Sequence, residues 1–199
     1  MDDIEYGSIL AAPAEAGTGS VLLVIKHDAQ GTVAIDIANP TENEPHTLFG
    51  GPDNYGLTCL IHTAGHKGGK LAEIAPEISR KTAMGILVPV DGCQILEVLS
   101  TVRNDMMLRQ ILAAKNVPEL AEDMGPVLVV YGRHDFAPGA LQRQIDDGKW
   151  AVSGERLDTL AWAPTEWRWN AANASARKKD VPPPAPKNDV KPLGKHFRL

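Results

Sequence analysis

The sequence VLVVYGRHDFAPGALQRQIDDGKW, residues 127–150, decides the fold class. Its opening run, 127–131, is continuously apolar and rich in branched side chains, which is typical of a central strand covered on both faces. Pro138 then suits the first turn of a helix over 138–147, and Gly148 ends that helix. A buried strand followed directly by a helix predicts a sheet with helices packed against it.

The rest of the chain predicts hairpins first and alternating elements later. Residues 7–12, 20–26 and 32–38 are short apolar runs that predict strands, and residues 28–31 supply the hairpin turn between the second and third. Similar signals predict a loop over 39–46, strands at 55–63 and 84–90, and helices at 93–100, about 105–115 and from Pro164. We therefore predict an α/β (α+β) fold, with a mixed β-sheet flanked by helices.

Charge divides the chain into two unequal parts. Residues 177–199 carry seven Lys or Arg and two Asp, a net charge of +5, so residues 1–176 carry −10 of the total of −5. An acidic body repels phosphate backbones, so we expect any contact with nucleic acid to come only through the tail. The acidic N-terminus and the lack of an apolar run near ~20 residues predict a cytoplasmic protein without a membrane span.

Composition places a domain boundary between a folded body, 1–176, and a tail, 177–199. The tail has five prolines and almost no apolar surface to bury, so we expect it to be disordered by itself. It is either an idle solubilising extension or a docking arm that becomes ordered on a protein partner or a larger assembly. Its candidate docking residues are Arg177, Lys178, Lys179, Lys187, Lys191, Lys195, Phe197 and Arg198.

Three ordered blocks of residues resemble the YqgE/AlgH family. The first, 126–172, contains an apolar strand, a turn, a helix and a tryptophan, marked by Gly132, Phe136, Gly139, Leu141, Ile145 and Trp150. The second is LFGGP at 48–52, followed by LIHT at 60–63, and the third is GSILAAP at 7–13. Along the chain, the three blocks follow the same order as in the family and extend over most of the proposed folded body.

The resemblance implies a three-layer α/β arrangement with a mixed sheet. It also implies a role in regulating gene expression, with no settled catalytic activity and no cofactor. The chain departs from the family pattern at 17–19, where Gly-Thr-Gly replaces a usual aromatic, and at Phe136, where tryptophan is usual. Residues 100–125 look like an insertion relative to the family.

Two histidine- and glycine-rich features were candidates for binding motifs. The segment GHKGGK at 65–70 lacks the first glycine and the following Ser or Thr of a phosphate-binding P-loop, which favours a surface loop. His62 and His66 are four residues apart, as in some zinc sites on helices. Glycines around them argue against a helix, and no third ligand lies nearby in the sequence, so we predict no metal site.

The remaining candidates for ligand or partner binding lie at glycine turns and after the central strand. His134 and Asp135 could perform acid–base chemistry there, but neighbours on a strand point in opposite directions, and Asp135 is well placed to cap the next helix. The glycines serve backbone geometry, or their amides bind a ligand. The full set is Asn39, Gly50, Gly51, Pro52, His62, Gly132, His134, Asp135 and Phe136.

Three hypotheses of function follow. We favour a non-catalytic binding or regulatory domain whose acidic body docks protein partners, with an exposed Trp162 or Trp167 as a marker of a partner site. The second hypothesis is a structural or accessory component of a larger assembly, docked through the basic tail. The third is an enzyme whose catalytic residues would converge in one pocket, namely Asn39, His62, His134 and Asp135. The sequence does not specify an oligomeric state.

Overall fold

A computed structural model describes residues 4–13, 19–41, 44–62, 84–86, 90–98 and 127–176. Ten strands and three helices lie within these residues. The strands are β1 (Ile9–Ala11), β2 (Val21–Asp28), β3 (Gly31–Asp36), β4 (Pro40–Thr41), β5 (Glu44–Phe49), β6 (Asn54–His62), β7 (Met84–Ile86), β8 (Cys93–Val98), β9 (Val127–Phe136) and β10 (Ala151–Val152). The helices are α1 (Ala140–Asp146), α2 (Leu157–Ala161) and α3 (Thr165–Ala174).

The strands in the described part of the chain form one mixed sheet centred on β9. Their order is β10-β1-β2-β3-β9-β6-β8-β7, and β5, which also pairs with β4, joins β9 as well. β5 and β9 run parallel, whereas the other described pairs run antiparallel. The predicted mixed sheet is therefore confirmed, and the run at 127–131 forms part of its central strand.

Helices cover both faces of the sheet. Side chains alternate along β2, so Leu23 belongs to one buried cluster and Leu22 to another. The cluster of Leu23 includes Leu160 of α2 and Ala172 of α3, whereas the cluster of Leu22 includes Leu141 of α1. These two clusters make the three-layer arrangement that the family resemblance implied.

The N-terminal hairpins follow the sequence prediction closely. The three predicted strands correspond to β1, β2 and β3, and the turn falls between Asp28 and Gly31, which are paired across the hairpin. The carboxylate Oδ1 of Asp28 accepts a hydrogen bond of 2.8 Å from the backbone N–H of Gln30, and thereby stabilises the turn. The predicted helix after Pro138 is α1, and Gly148, with φ 74°, follows its end.

The loop predicted over 39–46 is wrong, because this segment contains β4 and the start of β5. Its Pro, Asn and Glu content is typical of loops, yet an edge strand tolerates proline. Pro40 pairs with Leu48, and the N–H of Phe49 donates to the carbonyl of Asn39 at 2.8 Å. The pairing of β4 with β5, and of β5 with β9, therefore outweighs the local preference of these residues for a loop.

The helix predicted over 93–100 is also wrong, because residues 93–98 form β8. Asp91 and Gly92 have φ of 45° and 75°, and they form a two-residue turn across which Val90 and Cys93 exchange hydrogen bonds of 3.0 and 2.8 Å. β8 then pairs along β6. The apolar spacing of Ile95 and its neighbours suits a helix as well as a buried strand, and the turn decides between them.

The last helix, α3, is fixed to the sheet by tryptophan. Trp169 donates a hydrogen bond of 2.8 Å from Nε1 to the carbonyl of Ala12, as expected for a residue that packs the helix on the sheet. Trp162 is partly buried beside the same core cluster, whereas Trp167 is 66% exposed. The exposed tryptophan is therefore Trp167.

Several predictions concern residues outside those that the structure describes. They are the helix near 105–115, the insertion at 100–125, the segment 65–70 with His66, and the tail 177–199. Among the helices that are described, none is long and apolar enough to cross a membrane. The described residues also contain no group of three or more His, Cys, Asp or Glu that could hold a metal ion.

Candidate functional site

Most of the candidate residues meet where β9 changes its partner strand. Residues 129–131 of β9 pair with β5, and residues 134–136 pair with β3. Gly132 lies between these two stretches with φ 75°, a conformation that glycine adopts without strain. We call the region around Gly132 the strand junction, which comprises 50–53 and 132–136.

Gly50 and Gly51 allow two chain segments to approach closely at the strand junction. A Cβ atom on Gly50 would lie 2.5 Å from the carbonyl oxygen of Gly132, and one on Gly51 would lie 2.5 Å from the carbonyl carbon of Arg133. The N–H of Gly50 donates to the carbonyl of Tyr131, and its own carbonyl accepts from the N–H of Asp36. The backbone polar groups of Gly50 are thus used within the sheet, which favours the geometric interpretation over ligand binding.

His134 and Asp135 do not act as a pair. The sequence predicted them in a turn after the central strand, but both lie within β9. As neighbours on a strand, their side chains point to opposite faces of the sheet. The ring of His134 stacks with Phe136 at a centroid distance of 6.0 Å, whereas Oδ1 of Asp135 lies 2.9 Å from Nε of Arg133. The predicted capping role of Asp135 is wrong, because the N-cap residue of α1 is Gly139 and no side chain caps the helix.

Asp36, which the sequence analysis did not select, is a buried carboxylate beside the strand junction. It is 3% exposed, and its Oδ1 accepts hydrogen bonds from the N–H of Ala38 at 2.9 Å and of Val21 at 3.3 Å. Burial raises the pKa of Asp36, although these hydrogen bonds, one from Ser20 and the charge of His134 oppose the rise. An acidic residue inside the apolar run TVAIDIA was the available signal.

The raised pKa of Asp36 predicts a pH-dependent stability. As the pH rises above 3.8, Asp36 loses its proton in the unfolded chain before it does so in the folded protein, whose pKa is higher. Rising pH therefore favours unfolding, and the contribution of the protonated Asp36 to stability is lost as the pH passes the folded pKa. Asp36→Asn keeps the acceptor oxygen and removes this titration. We expect the free energy of unfolding of the wild type to fall relative to that of Asp36→Asn as the pH rises from below 3.8 to neutrality. Urea denaturation across that pH range measures the difference, and a difference that is constant or of opposite slope contradicts the prediction.

The other candidates do not join one constellation. Asn39 and Pro52 are exposed. His62 is the last residue of β6, and its neighbour Ile61 pairs with Val127 at the start of β9. Val127 and Arg133 are six residues apart along β9, a distance of roughly 20 Å at 3.3 Å per residue. His62 is therefore far from the strand junction. The side chain of His62 lies outside the described structure. Asn39, His62, His134 and Asp135 therefore do not share a pocket.

A cleft of about 570 Å³ lies elsewhere on the protein, where residues 4–9, the turn 90–91 and residues 152–155 meet. We call it the N-terminal cleft. Its polar lining comes from carboxylates, hydroxyls and backbone, with Glu5, Tyr6, Ser8, Asp91, Ser153 and Glu155 among the contributors. Among the described residues that line it, none is a lysine or an arginine. Its three walls are distant along the chain, so no local sequence pattern indicates this cleft.

The three carboxylates of the N-terminal cleft differ in the hydrogen bonds and ion pairs that they form. Oδ2 of Asp91 accepts a hydrogen bond of 3.0 Å from the N–H of Leu157, and Oδ1 lies 3.8 Å from Nη1 of Arg156. Within the described residues, no hydrogen bond or ion pair involves the carboxylate of Glu5 or of Glu155. These two groups can therefore accept a cationic ligand without losing a described contact.

A half-buried phenol, that of Tyr6, adds a neutral polar group to the same cleft. Burial, together with the charge of Glu97, raises the pKa of Tyr6 to about 12. The phenol therefore keeps its proton at neutral pH. Nearby, burial and the charge of Asp158 raise the pKa of Cys93 to about 12, so its thiol is not a reactive nucleophile.

Comparisons with known proteins concern the whole fold. No family model matches the chain. Two proteins described as UPF0301 proteins, from Anaeromyxobacter dehalogenans and Anaeromyxobacter sp. strain K, are each 26% identical over 173 residues, which cover 83% of this chain and 84% of theirs. The solution structure of the AlgH protein from Pseudomonas aeruginosa, also a UPF0301 protein, matches with a TM-score of 0.52 at 17% identity, over 88% of this chain and 92% of that one. The chain is similar to proteins of the UPF0301, or YqgE/AlgH, family over most of its length.

The resemblance of the three sequence blocks to the YqgE/AlgH family is thereby confirmed. A crystal structure of a protein from Corynebacterium diphtheriae is similar as well, with a TM-score of 0.50 and 19% identity over 79% of this chain and 81% of that one. At these identities the solved structures show a shared fold. The UPF0301 description of these relatives names no activity.

Proposed function

We propose that this protein is a non-catalytic binding domain with a regulatory role, and that its N-terminal cleft takes a cationic segment of a protein partner. The observation that carries the proposal is the charge of the cleft: its described lining contains the carboxylates of Glu5, Asp91 and Glu155 and no lysine or arginine. Such a surface attracts lysine- and arginine-rich segments by electrostatic complementarity. The net charge of −10 on residues 1–176 extends the same attraction over longer distances.

The arrangement at the strand junction supports a non-catalytic role. His134 stacks on Phe136, and Asp135 lies against Arg133, so these two residues do not present an acid–base pair to one substrate. The described backbone groups of Gly50 are used inside the sheet. We therefore assign the recognition function to the N-terminal cleft.

A labelled hexalysine peptide tests the proposal. We expect it to bind the full chain at low salt and to dissociate as salt is added, because exposed charges are screened over ~8 Å at physiological ionic strength. In the double variant Glu5→Gln, Glu155→Gln we expect the affinity to fall about fivefold, since two exposed ion pairs contribute roughly 0.5 kcal/mol each. Fluorescence anisotropy measures both effects.

A matched control has the same change in net charge away from the cleft. Glu166→Gln and Asp147→Asn remove two exposed carboxylates on α3 and after α1. Equal affinity of the control and the wild type, together with weaker binding by the cleft variant, supports the proposal. An equal loss in both double variants means that the peptide responds to net charge alone, and the cleft is then not its site.

The second candidate function is that of an accessory component of a larger assembly. Trp167 favours it, because a tryptophan that is 66% exposed on the last helix before the tail is typical of a contact with a partner. This contact lies on α3 and uses none of the residues that line the N-terminal cleft. Trp167→Ser therefore separates the two candidates: it weakens assembly and leaves hexalysine binding unchanged.

A further inference from the structure

We infer that Arg156 is a built-in competitor for the N-terminal cleft: its guanidinium offsets the charge of Asp91, and Asp158 determines how strongly it does so. The inference rests on the proposed function of the cleft and adds a means of regulating it. It follows from the ion pairs at the rim of the cleft, from the backbone geometry of Arg156 and from the exposure of its side chain.

Arg156 lies at the rim of the cleft and is not among its described lining residues. It follows Glu155, which does line the cleft, and it is the N-cap residue of α2, with the extended backbone angles φ −88° and ψ 144°. Neighbouring side chains on extended backbone point in opposite directions, so the side chain of Arg156 is directed away from that of Glu155. A cation is therefore adjacent to the acidic lining without being part of it.

Two carboxylates contact the guanidinium of Arg156, and they hold it unequally. Oδ2 of Asp158 lies 2.8 Å from Nη2, and Oδ1 lies 3.1 Å from Nε, which makes a two-pronged pair. Oδ1 of Asp91 lies 3.8 Å from Nη1, a longer separation. The hydrogen bond from Arg156 also lowers the pKa of Asp158, as expected for a carboxylate that a cation holds. Asp158 is thus the main anchor of Arg156, and Asp91 is the secondary one.

The mobile member of this arrangement is Arg156. The N–H of Leu157 donates to Oδ2 of Asp91 at 3.0 Å, which ties that carboxylate to the start of α2. The side chain of Arg156, by contrast, is 62% exposed. A movement of about 1 Å by Nη1 brings it within the range of a short charge-assisted hydrogen bond to Asp91. Exposed side chains change rotamer within nanoseconds, so this movement is fast relative to the arrival of a partner.

Arg156 and a partner's cation compete because both are attracted to Asp91. While Asp158 retains Arg156, the charge of Asp91 is available to the partner. Without the charge of Asp158, Arg156 turns to Asp91. The partner then binds with an apparent affinity lowered by the fraction of molecules in which Arg156 occupies Asp91. Asp158, which does not line the cleft, thereby sets the strength of the cleft for cations.

Hexalysine binding to the full chain, measured by fluorescence anisotropy at low salt, tests the competition. In Arg156→Gln we expect binding about twofold tighter than in the control Arg143→Gln, the change in affinity that one exposed ion pair produces. Arg143 is exposed on α1, and its loss changes the net charge equally. Damage to the fold weakens binding, so a merely structural role of Arg156 does not give this result. Equal affinities in the two variants overturn the inference.

A double-mutant cycle tests the part that Asp158 plays. Asp158→Asn removes one negative charge, and this alone weakens hexalysine binding equally in the wild type and in Arg156→Gln. If Asp158 restrains Arg156, the loss in the wild type is larger than the loss in Arg156→Gln by a factor of about two. Equal losses overturn the inference, because they show that Arg156 does not move to Asp91 when it is released.

The same measurements separate this inference from the proposed function. Weaker binding by the double variant Glu5→Gln, Glu155→Gln, together with equal losses in the cycle, leaves the proposed function intact and overturns the inference. Absence of hexalysine binding by the wild type and by every variant overturns both.

Discussion

Replacement of Gly51 by alanine is expected to destabilise the fold by about 3 kcal/mol or more, which is a large part of the stability of a domain of this size. Gly51 has φ 146°, outside the range that L side chains adopt readily. The added Cβ would lie 2.5 Å from the carbonyl carbon and 2.6 Å from the carbonyl oxygen of Arg133. Since both of these atoms belong to the backbone of the central strand β9, the clash is relieved only by separating the chain from the sheet. Urea denaturation, or circular dichroism if little folded protein remains, measures the loss.

Gly148 provides the matched control. It also has positive φ, at 74°, but a Cβ at this position meets no atom within 4 Å. Gly148→Ala therefore carries only the cost of the left-handed conformation, about 1–2 kcal/mol. If the two variants lose similar stability, close approach at the strand junction contributes nothing and Gly51 is required only for its backbone angle.

The central part of the fold was predictable because local and tertiary preferences agree there. The run at 127–131 is apolar at every position, and residues 127–130 are buried on both faces of the strand, which requires such a run. β8 was mispredicted because an apolar pair such as Ile95 and Leu96 suits a helix and a doubly buried strand equally well. The Asp-Gly pair at 91–92 was the overlooked signal, since both residues adopt the positive φ of a two-residue hairpin.

The candidate site was less predictable because its parts are distant in sequence. The glycine motifs belong to the strand junction, where the structure brings Gly50, Gly51, Gly132 and His134 together. The same motifs cannot reveal whether a glycine amide is free or used in the sheet. The N-terminal cleft depends on three segments that meet only after β1, β8 and β10 have entered the sheet. No local pattern of apolar or charged residues indicates such a meeting.

Arg168, on α3, is expected to be a second residue of large effect, and its substitution by alanine should lower the free energy of unfolding by about 3 kcal/mol. The side chain is 3% exposed, and its Nη1 donates to the carbonyl of Ile37 at 2.7 Å. Its Nε donates to the carbonyl of Ala163 at 3.1 Å. Burial lowers the pKa of Arg168 to about 10, so the guanidinium remains charged at neutral pH and ties α3 to the end of β3. Without it, two carbonyls lose charged donors in a region with little access to water.

Two further substitutions separate the hydrogen bonds of Arg168 from its packing and from the cost of burying its charge. Arg168→Met preserves much of the volume and removes both donors, so we expect a loss of about 2 kcal/mol by urea denaturation. Arg143→Met, on the exposed side of α1, makes the same chemical change and should stay within about 0.5 kcal/mol of the wild type. A stability of Arg168→Met equal to that of the wild type would mean that desolvation of the guanidinium cancels its two hydrogen bonds, as happens for some buried ion pairs. The attachment of α3 would then come from Trp169 and the apolar contacts of Ala172 with the sheet.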